Sequence, residues 1–180
     1  MIRFTLAAAG LAILASSAAY AGNPMVGGAA MYPTKSIVQN AVNSKDHTTL
    51  VAAVTAAGLV DTLAGQGPFT VFAPTNAAFG KLPAGTVDTL VKPENKDTLT
   101  KILTYHVVPG RYTAADVAAL AAQNGGTATL KTVEGESLNF MKSGDGWVVV
   151  DSKGGRSNIT IANVMQSNGV IHVVDSVLMP

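Results

Sequence analysis

The apolar period of this 180-residue chain changes once, near Thr127, and that switch limits its folds more than any other feature. Upstream, apolar residues recur at helical spacing. Leu50, Val51 and Val54 mark Asp46 to Ala57, Val87, Leu90 and Val91 follow Thr86, and Leu99, Ile102, Leu103 and His106 fall at i, i+3, i+4, i+7. Downstream the period is two, over Ala128 to Val133, Ser137 to Met141, Trp147 to Asp151, Asn158 to Gln166 and Val170 to Leu178. Glycine-bearing turns separate these runs, at Gly135, Gly144-Asp145-Gly146, Gly154-Gly155 and Ser167-Asn168-Gly169. Helices first and strands afterwards predict an α+β fold rather than alternating βαβ units.

One strand interrupts the helical half. Phe69 to Ala73 is β-branched and aromatic, Pro74 stops it, and Thr75 or Asn76 caps a short helix through Phe79. Asp46 is placed to cap the helix that runs to Ala57. Pro93 and Glu94 open a helix reaching His106, which Pro109-Gly110 follows. Thr113, with Asp116 three residues on, starts another. Ser36 to Val42 reads as a short helix, and Gly22 to Ala30, with Gly27 and Gly28, as a flexible tail. The Asn168-Gly169 pair predicts a hairpin, because both residues tolerate positive φ.

Residues 1–21 read as a cleaved secretory signal. Arg3 is the positive end, Phe4 to Ala15 the apolar run, and Ala19-Tyr20-Ala21 the cleavage pattern. The run is shorter than the ~20 apolar residues that span a bilayer. Cleavage after Ala21 leaves a segment 22–43 and a domain 44–180, with no integral membrane span. It also removes one of the 12 basic residues, so the remaining basic residues equal the 11 acidic ones. A neutral chain lacks the basic surface that nucleic acid requires. With no cysteine in the sequence, disulfides, thiolate nucleophiles and Cys-ligated metals are excluded.

The catalytic inventory is thin. His47, His106 and His172 are the three histidines, and no two are spaced as metal ligands on a helix, so neither a metal nor a cofactor is expected. Ser137 follows Gly135-Glu136 but lacks the second glycine of a nucleophile elbow. Gly65-Gln66-Gly67 precedes a strand, where a phosphate loop would follow one. Asp145 and Asp151 miss the calcium-loop spacing and read as solvated turn acids. Asn158-Ile159-Thr160 is a formal glycosylation sequon that also fits an ordinary strand.

Three segments, in order, resemble the fasciclin (FAS1) family. They are Phe69-Thr70-Val71-Phe72-Ala73-Pro74-Thr75-Asn76-Ala77-Ala78-Phe79, then Tyr105-His106 with Val107-Val108-Pro109-Gly110, then the closing stretch Asn168 to Pro180. Asn76 stands where the family also uses an acid. The resemblance implies a FAS1-type wedge, a β-sheet core with flanking helices in the N-terminal half. It implies a non-enzymatic role in cell adhesion, surface or matrix interaction, in a secreted or periplasmic protein whose partner is a protein or polysaccharide. It also marks Tyr105 and His106 as candidate binding residues. These two have a second reading as structure. A histidine ending a helix can donate to a backbone carbonyl, and its protonated form suits the helix C-terminus. The alternative function is a periplasmic small-molecule or lipid binder, with Trp147 and Met141 lining a cleft between sheet and helices.

Overall fold

The computed structural model describes residues 22–180, and the secretory-type segment 1–21 with its cleavage pattern lies outside the described residues. The described chain opens with an antiparallel hairpin, β1 (Met25–Val26) and β2 (Ala29–Ala30). The reading of this stretch as a flexible tail is corrected, because Val26 and Met31 are buried in the core. Gly27 makes the turn at a φ of 58°, against Ser44, where any side chain would collide. Two apolar residues among glycines carry no period, so their docking is visible only in three dimensions.

Helix α1 (Ile37–Ala41) begins at a capping box. Ser36 Oγ accepts from the Gln39 amide while the Gln39 side chain accepts from the Ser36 amide. A 3₁₀ turn, Lys45–His47, leads into α2 (Thr48–Ala57). Asp46 lies within that turn and does not cap α2. Asn76 does so from across the fold, its Oδ1 accepting from the Thr49 amide at 3.0 Å and from Thr48 Oγ1 at 3.2 Å. Next come α3 (Val60–Ala64), β3 (Phe69–Pro74), α4 (Asn76–Gly80, capped by Thr75) and α5 (Thr86–Leu90). A 3₁₀ turn at Pro93–Asn95 precedes α6 (Lys96–Tyr105), so the expected helix splits at its start. The strand β4 (Val107–Pro109) was not legible in three residues, and α7 (Ala114–Gln123) follows, with the Thr113–Asp116 capping box in place. The last third is β5 (Thr127–Lys131), β6 (Ser137–Ser143), β7 (Gly146–Val150), β8 (Arg156–Gln166) and β9 (Gly169–Val174).

Strands β3 to β9 form one seven-stranded sheet in the order β4-β3-β9-β8-β7-β6-β5. The β3–β9 pair is parallel and every other pair antiparallel. All six residues of β9 are buried, which explains its near-continuous apolar run. Alternate residues of β3 and β9 feed two cores. Val71, Ala73, Ile171 and Val173 join α1, α2, α3, α6 and the N-terminal hairpin. Phe72 and Val174 join α7 and the β5–β7 strands around Phe140 and Leu138.

The β8–β9 hairpin forms as expected, with Gln166 opposite Gly169, but neither Asn168 nor Gly169 takes positive φ. Asn168 is there for its side chain. Its Nδ2 donates to the Leu63 and Gly65 carbonyls at 2.7 and 2.9 Å, and its Oδ1 accepts from the Ile37 amide at 3.0 Å. Gly169 is there for closeness, since a Cβ would overlap the Phe69 carbonyl of the parallel neighbour. Among the described residues, no helix is long and apolar enough to cross a membrane.

Candidate functional site

Helix α6 buries Leu99, Ile102 and Leu103 and so fixes where its last turn ends. That places Tyr105 and His106 inside the molecule, at 0% and 2% exposure. The Tyr105 hydroxyl donates to the Ser137 carbonyl at 3.2 Å and accepts from the Ser152 amide at 2.8 Å. Burial pushes this phenol up, against the lowering effect of the Ser152 bonds. His106 Nδ1 donates to the Ile102 carbonyl at 2.8 Å, and Nε2 accepts from the Leu178 amide at 3.0 Å. The Leu178 bond requires a bare Nε2, so the ring is neutral with its proton on Nδ1. Burial lowers its pKa to about 4, which the Ile102 bond and the Asp151 carboxylate only partly oppose. The favourable helix-end placement of a protonated histidine is therefore not in use. The donation to a carbonyl is present. A direct partner contact by either side chain does not fit their burial.

The neighbouring polar groups are tied to main chain in the same way. Asp151, read as a solvated turn acid, is buried at 6% exposure. Its Oδ1 accepts from the Lys153 and Gly155 amides at 3.0 and 2.6 Å, and its Oδ2 from Met179 at 3.1 Å. His172 Nε2 donates to the Tyr112 carbonyl at 2.8 Å while Nδ1 accepts from the Asn163 amide at 3.3 Å. The ring stacks on Phe72, and burial lowers its pKa. Asn158 is exposed and held to Asp175, its amide and its Nδ2 each donating at 2.8 Å.

His47 differs. It stands in the 3₁₀ turn before α2, at 3% exposure, with Nδ1 2.9 Å from Ser44 Oγ. Its Nε2 has no hydrogen-bond partner; the Ala73 backbone lies close enough to favour the charged ring somewhat without making a hydrogen bond of good geometry. Burial outweighs that and lowers the pKa. His47 lines an apolar cavity of about 140 Å³ between the N-terminal hairpin, α1, α2 and the β3–β9 pair. Leu50, Val54, Val71, Leu103 and Ile171 form its inner wall, and His106 reaches it from α6. The cleft expected at Trp147 and Met141 is present at Trp147 alone: Trp147 lines a cavity of about 450 Å³ between α7 and the sheet, with Val117, Ile159, Phe72 and His172, while Met141 is exposed and does not line it. Sequence reading missed His47 because its neighbours Ser44 and Ala73 are brought together by the fold. Among the described residues, no three His, Asp or Glu side chains converge as a metal site would need.

A helix-flanked sheet with one parallel pair, β3–β9, and a buried Tyr-His pair fits the fasciclin class. The fasciclin domain family model matches residues 45–180, and the chain belongs to that family. It is 52% identical over 156 residues to Protein sll1483 of Synechocystis sp., covering 87% of this chain and 79% of that one. It is 34% identical over 165 residues to the cell surface glycolipoprotein MPB83 of Mycobacterium bovis, covering 92% of this chain and 64% of that one. Among solved structures, a FAS1 domain pair from the insect cell adhesion molecule Fasciclin I superposes with a TM-score of 0.72 at 20% identity, over 81% of this chain. The chain spans about half (51%) of that structure's length, and the likeness establishes the fold.

Proposed function

We propose that this chain is exported and acts outside the cytoplasm as a non-enzymatic interaction domain, contacting a protein or polysaccharide at the cell surface or matrix. The observation that carries this reading is the family match over residues 45–180, beside a relative whose name places it at the cell surface. The secretory-type N-terminus points the same way. The chemistry is consistent with it. His106 and His172 have both nitrogens bonded to main chain, so neither is free to act as a general base. In this reading Tyr105 and His106 serve binding indirectly, by fixing the closing segment at Leu178 and the turn at Ser152 beneath the surface that a partner meets.

Cross-linking at the native envelope, paired with surface attachment of a deletion strain, tests the proposal. The expected result is a cross-linked envelope partner and reduced attachment. Unchanged attachment together with no retained partner would overturn it.

A further inference from the structure

The cavity beside His47 combines two independent features. Its lining is mostly apolar and uncharged, and it borders the one buried side-chain nitrogen or oxygen that lacks a partner among the described residues. An unpaired buried polar atom is costly to a fold and is normally bonded. Here the imbalance sits in a space large enough to admit a molecule.

We propose that this cavity is a binding site for a small neutral hydrocarbon bearing one hydroxyl group, with that hydroxyl hydrogen-bonded to His47 Nε2. The size sets the hydrocarbon. A cavity of about 140 Å³ matches the ~150 Å³ apolar cavities that take up benzene, so one six-membered ring fits. The lining sets the charge. No Lys, Arg, Asp or Glu borders the cavity, and an ion buried there would have no counter-charge. The imidazole sets the functional group. Ser44 Oγ can either give a proton to Nδ1 or take one from it, leaving Nε2 as donor or acceptor in turn. A hydroxyl answers both arrangements, whereas a carbonyl answers one. A lone water would find a single open nitrogen, and buried waters make about three bonds.

The entrance follows from exposure. Val42 and Thr55 line the cavity and are exposed, and Val38, Ala41, Val51 and Val60 are half-buried. The mouth therefore lies between α1 and the α2–α3 segment. Its outer wall, from Val26 to Ser44, precedes the stretch matched by the family model, so the pocket is closed by residues outside that match. The inference is independent of the surface-interaction reading, since none of the cavity's inner wall is exposed.

The test uses phenol and benzene as probes on the purified protein, with binding read by calorimetry and by amide and imidazole shifts. Phenol is expected to bind roughly three- to tenfold more tightly than benzene, the value of one net hydrogen bond, with shifts centred on His47, Leu50 and Val54. In His47→Leu phenol should lose this advantage and bind no more tightly than benzene. Binding by neither probe, equal binding of both to the unaltered protein, or shifts centred elsewhere would overturn the proposal. The phenol-to-benzene comparison needs no variant and decides the matter even if His47→Leu does not fold.

Discussion

The C-terminal end of α6 and the 3₁₀ turn before α2 both deliver a buried histidine to the same cavity, and the fold treats the two differently. His106 has a carbonyl on one nitrogen and an amide on the other. His47 has a serine on one nitrogen and no hydrogen bond on the other, which the Ala73 backbone approaches without bonding. Burial depresses both pKa values, so charge does not separate them. The difference lies in their bonding. A buried polar group with every bond made is a brace, and one left open beside a cavity is a place for something to bind. The family motif draws the eye to His106, whereas the open position is at His47.

Substitutions at the two sites should therefore have unequal effects. His106→Ala strips the Ile102 carbonyl and the Leu178 amide of their partners and opens space in the core. It should cost about 3–4 kcal/mol, read as a lower urea midpoint with an unchanged slope. A smaller loss than that of His47→Ala would reverse the comparison.

Acid should act through the same residue. Between pH 6.5 and 4 the unfolded His106 takes up a proton that the folded one refuses, because its folded pKa is lowered to about 4. Its contribution is complete above pH 6.5 and falls as pH drops toward 4, by about 3 kcal/mol. His47 and His172 are lowered too and add in the same sense. Urea midpoints should fall from pH 7 to pH 4.5, and the fall should be shallower in His106→Gln.

Tyr105→Phe keeps the ring and removes two hydrogen bonds, to Ser137 and Ser152. It should cost about 1–2 kcal/mol, and attachment should weaken by no more than the folded fraction does. The smallest change is expected at His47→Leu. It removes an unpaired nitrogen and keeps the volume, at the loss of the bond to Ser44 Oγ, so ligand-free stability should fall by about 1 kcal/mol. A loss as large as that of His106→Ala would show that Nε2 is bonded in solution.

The comparison also shows what a sequence can reveal. The period switch at Thr127, the Thr113–Asp116 box and the apolar run of β9 are local patterns, and the α+β plan follows from them. Features built by distant residues stayed hidden. Asn76 caps α2 from the start of α4, Asn168 binds α3 and α1 through its side chain, and Val26 and Met31 close a cavity whose other wall is Ile171. Tyr105 and His106 were legible as a motif and as a helix end. Their complete burial was not, since it depends on β9 and the closing segment at Leu178 passing over them. His47 carried no local signal, because its open nitrogen is defined by what does not reach it.

The most direct test is nitrogen NMR of the three imidazoles across pH. The structure predicts His106 as the neutral Nδ1–H form at pH 7, unprotonated at pH 5.5, with its tautomer unaltered when phenol is added and His47 Nε2 as the nitrogen that responds. A His106 that titrates near 6.5, or that carries its proton on Nε2, would contradict the account.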